Sequence, residues 1–239
     1  MTNNKGTLYL IPNVISEGTA DSVLSADVKK VLPDIKHFLA EDIRTARRFL
    51  SSLKVYPTVE ELRFSVLNKD TKENELKDMM APLSEGNNMG VISESGCPGV
   101  ADPGALAVAY AHRQLIKVVP LVGPSSILLA LMGSGLNGQQ FAFHGYLPVE
   151  RSELGKSLRT LEKESASKSQ TQIFIETPYR NNSLLQQVFT QLKRETRLTI
   201  ALDLTGQSMF IQTKTIGEWA LQSIELPKQP AVFLFLAKA

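Results

Sequence analysis

Met89-Gly90-Val91-Ile92-Ser93-Glu94-Ser95-Gly96-Cys97-Pro98-Gly99-Val100-Ala101-Asp102-Pro103-Gly104 is the stretch that decides how this chain folds. It opens as an apolar run of strand length, then breaks into a loop crowded with glycine and proline that cannot continue as a helix. Residues 105–113 then take a helical period, and residues 116–121 form a second apolar run. Strand, loop, helix and strand in that order make the unit of a mostly parallel sheet covered by helices.

The same alternation extends in both directions. Upstream, residues 8–11 and 37–40 read as strands and residues 19–32 as one helix. Residues 43–53 read as a second helix, with Ile43, Ala46, Leu50 and Leu53 on one face and Arg44, Arg47 and Arg48 on the others. Downstream, Gly123-Pro124-Ser125-Ser126 introduces an apolar helix over 127–132, and Phe141 to Phe143 is apolar again. Residues 148–170, rich in Glu, Lys and Ser, read as a solvated loop plus helix. Strands over 172–176, 198–203 and 231–237, a helix over 181–192 and a hairpin arm over 208–212 complete the second half. The expected class is α/β: an N-terminal domain over residues 1–122 with a mostly parallel sheet, and a C-terminal domain over 123–239 with a mixed sheet.

Charge and cysteine content narrow the function. Lys and Arg number 26 against 24 Asp and Glu, a formal charge of +2, so nucleic acid is not bound by bulk charge and any RNA contact is local. The single cysteine, Cys97, allows no internal disulfide, and three dispersed histidines assemble no familiar metal spacing. No apolar run reaches the roughly 18 residues of a membrane span, and Thr2 to Gly6 is polar, so the expectation is a cytoplasmic protein without metal or membrane partner.

Ligands of open α/β sheets bind at the carboxyl ends of strands, so the loops there carry the candidates. The small residues of the loop after residue 92 admit close main-chain approach to a ligand, or make only a tight connection. Ser125 either caps the following helix or reaches a ligand. Glu41 and Asp42 stand at a strand end and helix start, where the helix dipole explains one carboxylate and leaves Glu41 as a candidate base. Glu176 ends an apolar strand before Thr177-Pro178-Tyr179-Arg180, and Arg180 either pairs with it or joins it in facing a substrate. Cys97 has no nearby His to activate it and reads as inert. Dinucleotide, P-loop and zinc-protease motifs are absent from the sequence.

Six segments in order carry a resemblance: Gly6-Thr7-Leu8-Tyr9-Leu10-Ile11-Pro12, Ala40-Glu41-Asp42-Ile43-Arg44, the loop from Ser93 through Asp102-Pro103-Gly104, Pro120-Leu121-Val122-Gly123-Pro124-Ser125-Ser126, Phe143-His144-Gly145-Tyr146-Leu147-Pro148, and Ile175-Glu176-Thr177-Pro178-Tyr179-Arg180. Together they resemble the bacterial 16S ribosomal RNA cytidine 2′-O-methyltransferases, a branch of the tetrapyrrole methylase superfamily. The resemblance implies two α/β domains with S-adenosylmethionine in the cleft between them, a homodimer, and ribosomal RNA of the small ribosomal subunit as acceptor. It implies cofactor contacts at Pro12, Ser95, Gly96, Pro98, Gly123, Ser125 and Ser126, then Glu176, Thr177, Pro230 and Ala231. Glu41 is the expected base, and Arg44 and Arg180 are expected to hold a phosphate.

Three departures stand against the family pattern. The family turn T-P-I-G-N-L is here Asn13-Val14-Ile15-Ser16-Glu17-Gly18, its R-E-L-T-K segment is Leu202-Asp203-Leu204-Thr205-Gly206, and its H-x-x-N-E stretch has no counterpart between Thr58 and Glu75. A porphyrinoid acceptor, or a cofactor-binding protein without turnover, are the alternative readings.

Overall fold

The computed structural model describes residues 5–238, so the polar opening at residues 2–4 lies outside it. The chain divides into two compact units, residues 1–125 and 126–239.

The first unit runs β1 (Thr7–Ile11), α1 (Ala20–Val23), α2 (Ala26–Val31), a short 3-10 turn (Leu32–Asp34), β2 (His37–Ala40), α3 (Ile43–Ser52), β3 (Arg63–Val66), α4 (Glu73–Met79), α5 (Ala81–Ser84), β4 (Met89–Ile92), α6 (Gly104–Arg113) and β5 (Lys117–Pro120). Its sheet has the order β3-β2-β4-β1-β5, and every pairing is parallel. Strands buried on both faces send alternate residues to opposite cores. Phe38, Ala40, Ile11 and Ile92 pack with α2 and α3 on one side, while Leu39, Leu8, Met89 and Val91 pack with α4, α5 and α6 on the other. Gly90 lies under Ile11 and Phe38, and a Cβ there would meet Ile11 Cδ1 at 2.5 Å.

Local chemistry fixes the helix starts. Asp42 accepts from Thr45 N–H at 2.6 Å and caps α3. The single helix expected over 19–32 is broken: Leu24 is extended (ψ 137°) and Ser25 likewise (ψ 151°), so a second helix begins after it. Ser25 holds this boundary through its backbone alone, because its hydroxyl makes no capping hydrogen bond.

The second unit runs α7 (Ser126–Ser134), β6 (Phe141–Tyr146), α8 (Arg151–Lys168), β7 (Thr171–Glu176), α9 (Asn181–Gln191), β8 (Arg197–Leu202), β9 (Phe210–Thr215), α10 (Ile216–Ala220) and β10 (Ala231–Leu236). Its sheet has the order β6-β7-β10-β8-β9, with β6 and β7 parallel and the other pairings antiparallel, the expected mixed sheet. Most of the stretch read as a solvated loop plus helix is α8. Apart from the buried Glu162, which accepts from Lys193 N–H and Thr196 Oγ1, its charges lie toward water, while Leu154, Leu158 and Leu161 are buried about one turn apart. Glu150 caps it, accepting from Ser152 N–H at 3.0 Å and Glu153 N–H at 2.9 Å. At the core, Trp219 is buried and its Nε1–H donates to Leu198 O at 2.9 Å.

Candidate active site

The strand order locates a crevice. From β1 the chain crosses to β2 on one side, and from β4 it crosses to β5 on the other, while β1 and β4 are hydrogen-bonded neighbours. The two connections pass each other on opposite faces of the sheet, α2 packing on the face of Ile11 and α6 on the face of Val91. The loops leaving β1 and β4 therefore part to the two faces at a switch point, where open α/β sheets bind ligands. Ile11, Ile92 and Ala40 sit in register, so the loops after β1, β4 and β2 start at one level.

Those loops are stitched to one another. Asn13, only 3% exposed, is the main stitch. Its N–H donates to Gly96 O at 2.9 Å, its Nδ2 donates to Ser93 O at 3.0 Å and Glu94 O at 3.1 Å, and its Oδ1 accepts from Val14 N–H at 2.8 Å. Ser93 Oγ donates to Ser95 O at 2.9 Å. Farther along, Asp102 Oδ1 accepts from Gly99 N–H at 3.0 Å and Gly104 N–H at 2.7 Å, closing the loop onto the start of α6.

The turn after β5 joins the same assembly. Cys97 Sγ donates to Pro124 O at 3.3 Å, and burial pushes the thiol up, away from the reactive thiolate. A Cβ on Gly123 would fall 2.3 Å from Pro12 Cβ and Cγ, so the turn lies directly on Pro12. Gly96 has φ +69°, a left-handed conformation that glycine adopts without strain, and a Cβ there would come within 3.3 Å of Pro124 O. Pro12, Ser95, Gly96, Pro98, Gly123 and Ser125 thus belong to one end of the first sheet, and Ser126 opens α7.

Carboxylates gather at this end. Partial burial, then the charges of Glu41, Asp42 and Asp102, push Glu94 up from the usual carboxylate value. Asp42 is held low by its bond from Thr45 N–H. Glu41 and Arg44 are exposed at the head of α3. A cavity of about 360 Å³ opens beside the crevice, lined by Asn13, Val14, Ile15, Glu17 and Gly18 of the loop after β1, Thr45, Arg48, Phe49 and Ser52 of α3, and Glu94. Asn13 and Glu94 were not singled out from the sequence. Their roles depend on β1 and β4 lying side by side, although the glutamate before Ser95-Gly96 was a visible signal.

The second unit holds its own group. Ala231 pairs with Glu176 at the end of β7, and Pro230 precedes it. The Glu176 side chain is fully buried; Oε1 accepts from Thr177 N–H at 2.7 Å, and Oε2 faces Arg180 Nη2 at 3.0 Å outside hydrogen-bond alignment. Asn181 Nδ2 donates to Gln229 O at 2.6 Å, tying α9 to the chain before β10. Between α8 and α9 lies a shallow basic groove that includes Arg151, Lys156 and Arg159. Among the described residues, no group of three or more His, Cys, Asp or Glu side chains is placed to hold a metal ion.

No protein-family model matches the chain. It is 28% identical over 216 residues to the ribosomal RNA small subunit methyltransferase I of Escherichia coli O157:H7, covering 90% of this chain and 71% of that protein. It is 30% identical over 200 residues to the protein of the same name from Synechocystis sp., covering 84% of this chain and 67% of that one. Among solved structures, the methyltransferase CobJ matches with TM-score 0.61 at 14% identity, over 98% of this chain and 94% of that one. Uroporphyrin-III-C-methyltransferase from Thermus thermophilus matches with TM-score 0.55 at 16% identity, over 97% and 92%. The structural likenesses establish the fold as tetrapyrrole methylase-like. With relatives of one name aligned along most of its length, the chain is a methyltransferase that belongs to the ribosomal RNA small subunit methyltransferase I family.

Proposed function

We propose that this chain transfers a methyl group from S-adenosylmethionine to a ribose 2′-hydroxyl of small-subunit ribosomal RNA. The observation that carries the reading is the stitched crevice at the β1/β4 switch point, in a chain whose relatives are named for that RNA. The groups at the crevice are main-chain amides and carbonyls, serine hydroxyls and a carboxylate, which suit a zwitterionic amino acid bearing a ribose. Bound there, the donor supplies an electrophilic methyl group on a sulfonium.

The chain's own work is positioning and proton removal. Pro12, Ser95, Gly96, Pro98, Gly123, Ser125 and Ser126 are assigned to the donor, with Glu176, Thr177, Pro230 and Ala231 behind them by resemblance. A carboxylate near the sheet's carboxyl end takes the hydroxyl proton, and Glu41, at a strand end and helix start, is the candidate read from the sequence. Arg44 and Arg180 hold phosphates; Arg44 is exposed, and Arg180 is half-buried beside Glu176. The working form is a homodimer in the cytoplasm. In support, α7 exposes Leu128 (50%) and Met132 (79%) one turn apart, and among the described residues no helix is long and apolar enough to cross a membrane.

The test is label transfer from methyl-labelled donor to small ribosomal subunits from cells lacking the protein. Label in ribose of the small-subunit RNA is the expected result, and no label in RNA refutes the reading. A porphyrinoid acceptor in a parallel reaction tests the second reading, favoured by the uroporphyrin methyltransferase likeness and the charge of only +2.

A further inference from the structure

We infer that the cavity between α3 and the loop after β1 receives the single nucleoside to be methylated, and that Glu94 on its wall takes the proton from the reacting hydroxyl. This rests on the proposed methyl transfer to RNA and adds the acceptor's seat and the base.

The cavity volume, about 360 Å³, falls in the range of small-ligand pockets, roughly 300 to 1,000 Å³, and is far too small for a duplex. Enzymes that act on a base take one nucleotide out of its stack into a pocket of this kind, and a cavity of this size admits one nucleoside in the same way. Val14, Ile15 and Phe49 give it apolar wall for the flat face of a base. On its rim Arg48 Nη2 and Glu17 Oε1 stand 3.5 Å apart, both largely exposed, a pair weak enough for an incoming phosphate to displace.

Glu94 joins this cavity to the donor loop. It lines the wall and directly precedes Ser95 and Gly96 on one stretch of main chain, whereas Glu41 is not among the lining residues. Partial burial, then Glu41 and Asp42 from the β2–α3 junction and Asp102 from its own loop, act on its charge, while Arg48 and Glu17 line the same cavity. Burial first, and the three carboxylates after it, raise its proton affinity, which suits a base. In the step, the hydroxyl O–H bond breaks and its proton passes to a Glu94 carboxylate oxygen. The O–CH3 bond forms, and the S–CH3 bond breaks with its electron pair kept by sulfur.

Single-turnover methylation of small subunits, calorimetric binding of S-adenosylmethionine, and donor-free binding of a short RNA oligonucleotide test this with Glu94→Gln, Glu94→Asp and Ser52→Trp. Glu94→Gln is expected to lower the rate about 10²-fold or more. It should leave donor affinity within threefold and remove the acid limb of the pH profile, with Glu94→Asp recovering part of the rate. Ser52→Trp, filling the cavity from its α3 wall, is expected to weaken oligonucleotide binding at least tenfold with donor affinity kept. The inference is overturned if Glu94→Gln methylates within threefold of the parent, if its loss follows weakened donor binding, if Glu41→Gln loses more than Glu94→Gln, or if Ser52→Trp binds and methylates RNA normally. A parent chain inactive on RNA overturns the proposed function instead.

Discussion

Replacing Asn13 by alanine isolates the stitch between the loops after β1 and β4. The substitution removes three side-chain hydrogen bonds at a site 3% exposed: two from Nδ2 to Ser93 O and Glu94 O, and one accepted by Oδ1 from Val14 N–H. At about 1 kcal/mol net for each bond, the folded state loses about 3 kcal/mol. Two of the three bonds end on the loop that carries Ser95 and Gly96, so about 2 kcal/mol of ordering must be restored when a ligand binds there. That corresponds to about a 30-fold rise in the Kd for S-adenosylmethionine. Urea unfolding reads the first quantity and isothermal calorimetry the second. If the variant loses stability as expected but binds donor within twofold of the parent, the donor does not lie on this loop.

Further expectations concern single groups. Gly123→Ala places a Cβ against Pro12 and should cost about 1–3 kcal/mol in urea unfolding and weaken donor binding; unchanged stability would mean the turn moves freely. Glu150 caps α8, and its bonds to Ser152 and Glu153 hold its pKa down at about 2 against 4.5 unfolded. A depressed folded value means that its contribution is fully present above pH 4.5 and is lost as the pH falls towards 2. Glu150→Gln should therefore narrow the gap between urea midpoints at neutral and acid pH, and an unaltered gap would remove this cap from the acid response. Arg180→Ala leaves the buried Glu176 carboxylate without its ion-pair partner and should cost about 3 kcal/mol or more, with Arg180→Lys recovering part in the same assay.

What the sequence made legible follows from where each signal resides. β4, its loop and α6 were readable because an apolar run, a Gly-Pro break and a helical period follow within 25 residues, Met89 to Arg113. β3 was missed because it is an edge strand paired only with β2, and Arg63 and Val66 face water, so no buried alternation marks it. α4 and α5 are short and interrupted by Pro82, which leaves each too few turns to show a period. The hairpin arm expected over 208–212 falls at Phe210–Thr215, where pairing with Arg197–Leu202 of β8 sets its limits. The candidate site divides in the same way. Gly96 and Gly123 are visible as residue types, whereas Asn13 acts on carbonyls 80 and 81 positions away, a relation no local window holds.

Core packing and site geometry meet at Gly90. A side chain there would press into Ile11 at 2.5 Å and into the Phe38 ring at 2.9 Å, forcing β1 or β2 away from β4 just below the loops that follow them. Because Ile11, Ile92 and Ala40 are in register, such a shift would part Asn13 from Ser93 and Glu94 and change how Glu94 stands to the cavity. The loop after β4 is therefore held by bonds the chain makes with itself and can be ready before any ligand arrives. The rim facing it is different, since Arg48, Glu17 and Ser52 are exposed, whereas Phe49 beneath them belongs to the core. On the proposed reading the fixed β1/β4 loops hold the donor, and the exposed Arg48 and Ser52 of α3 are where acceptor preference can change without disturbing the core.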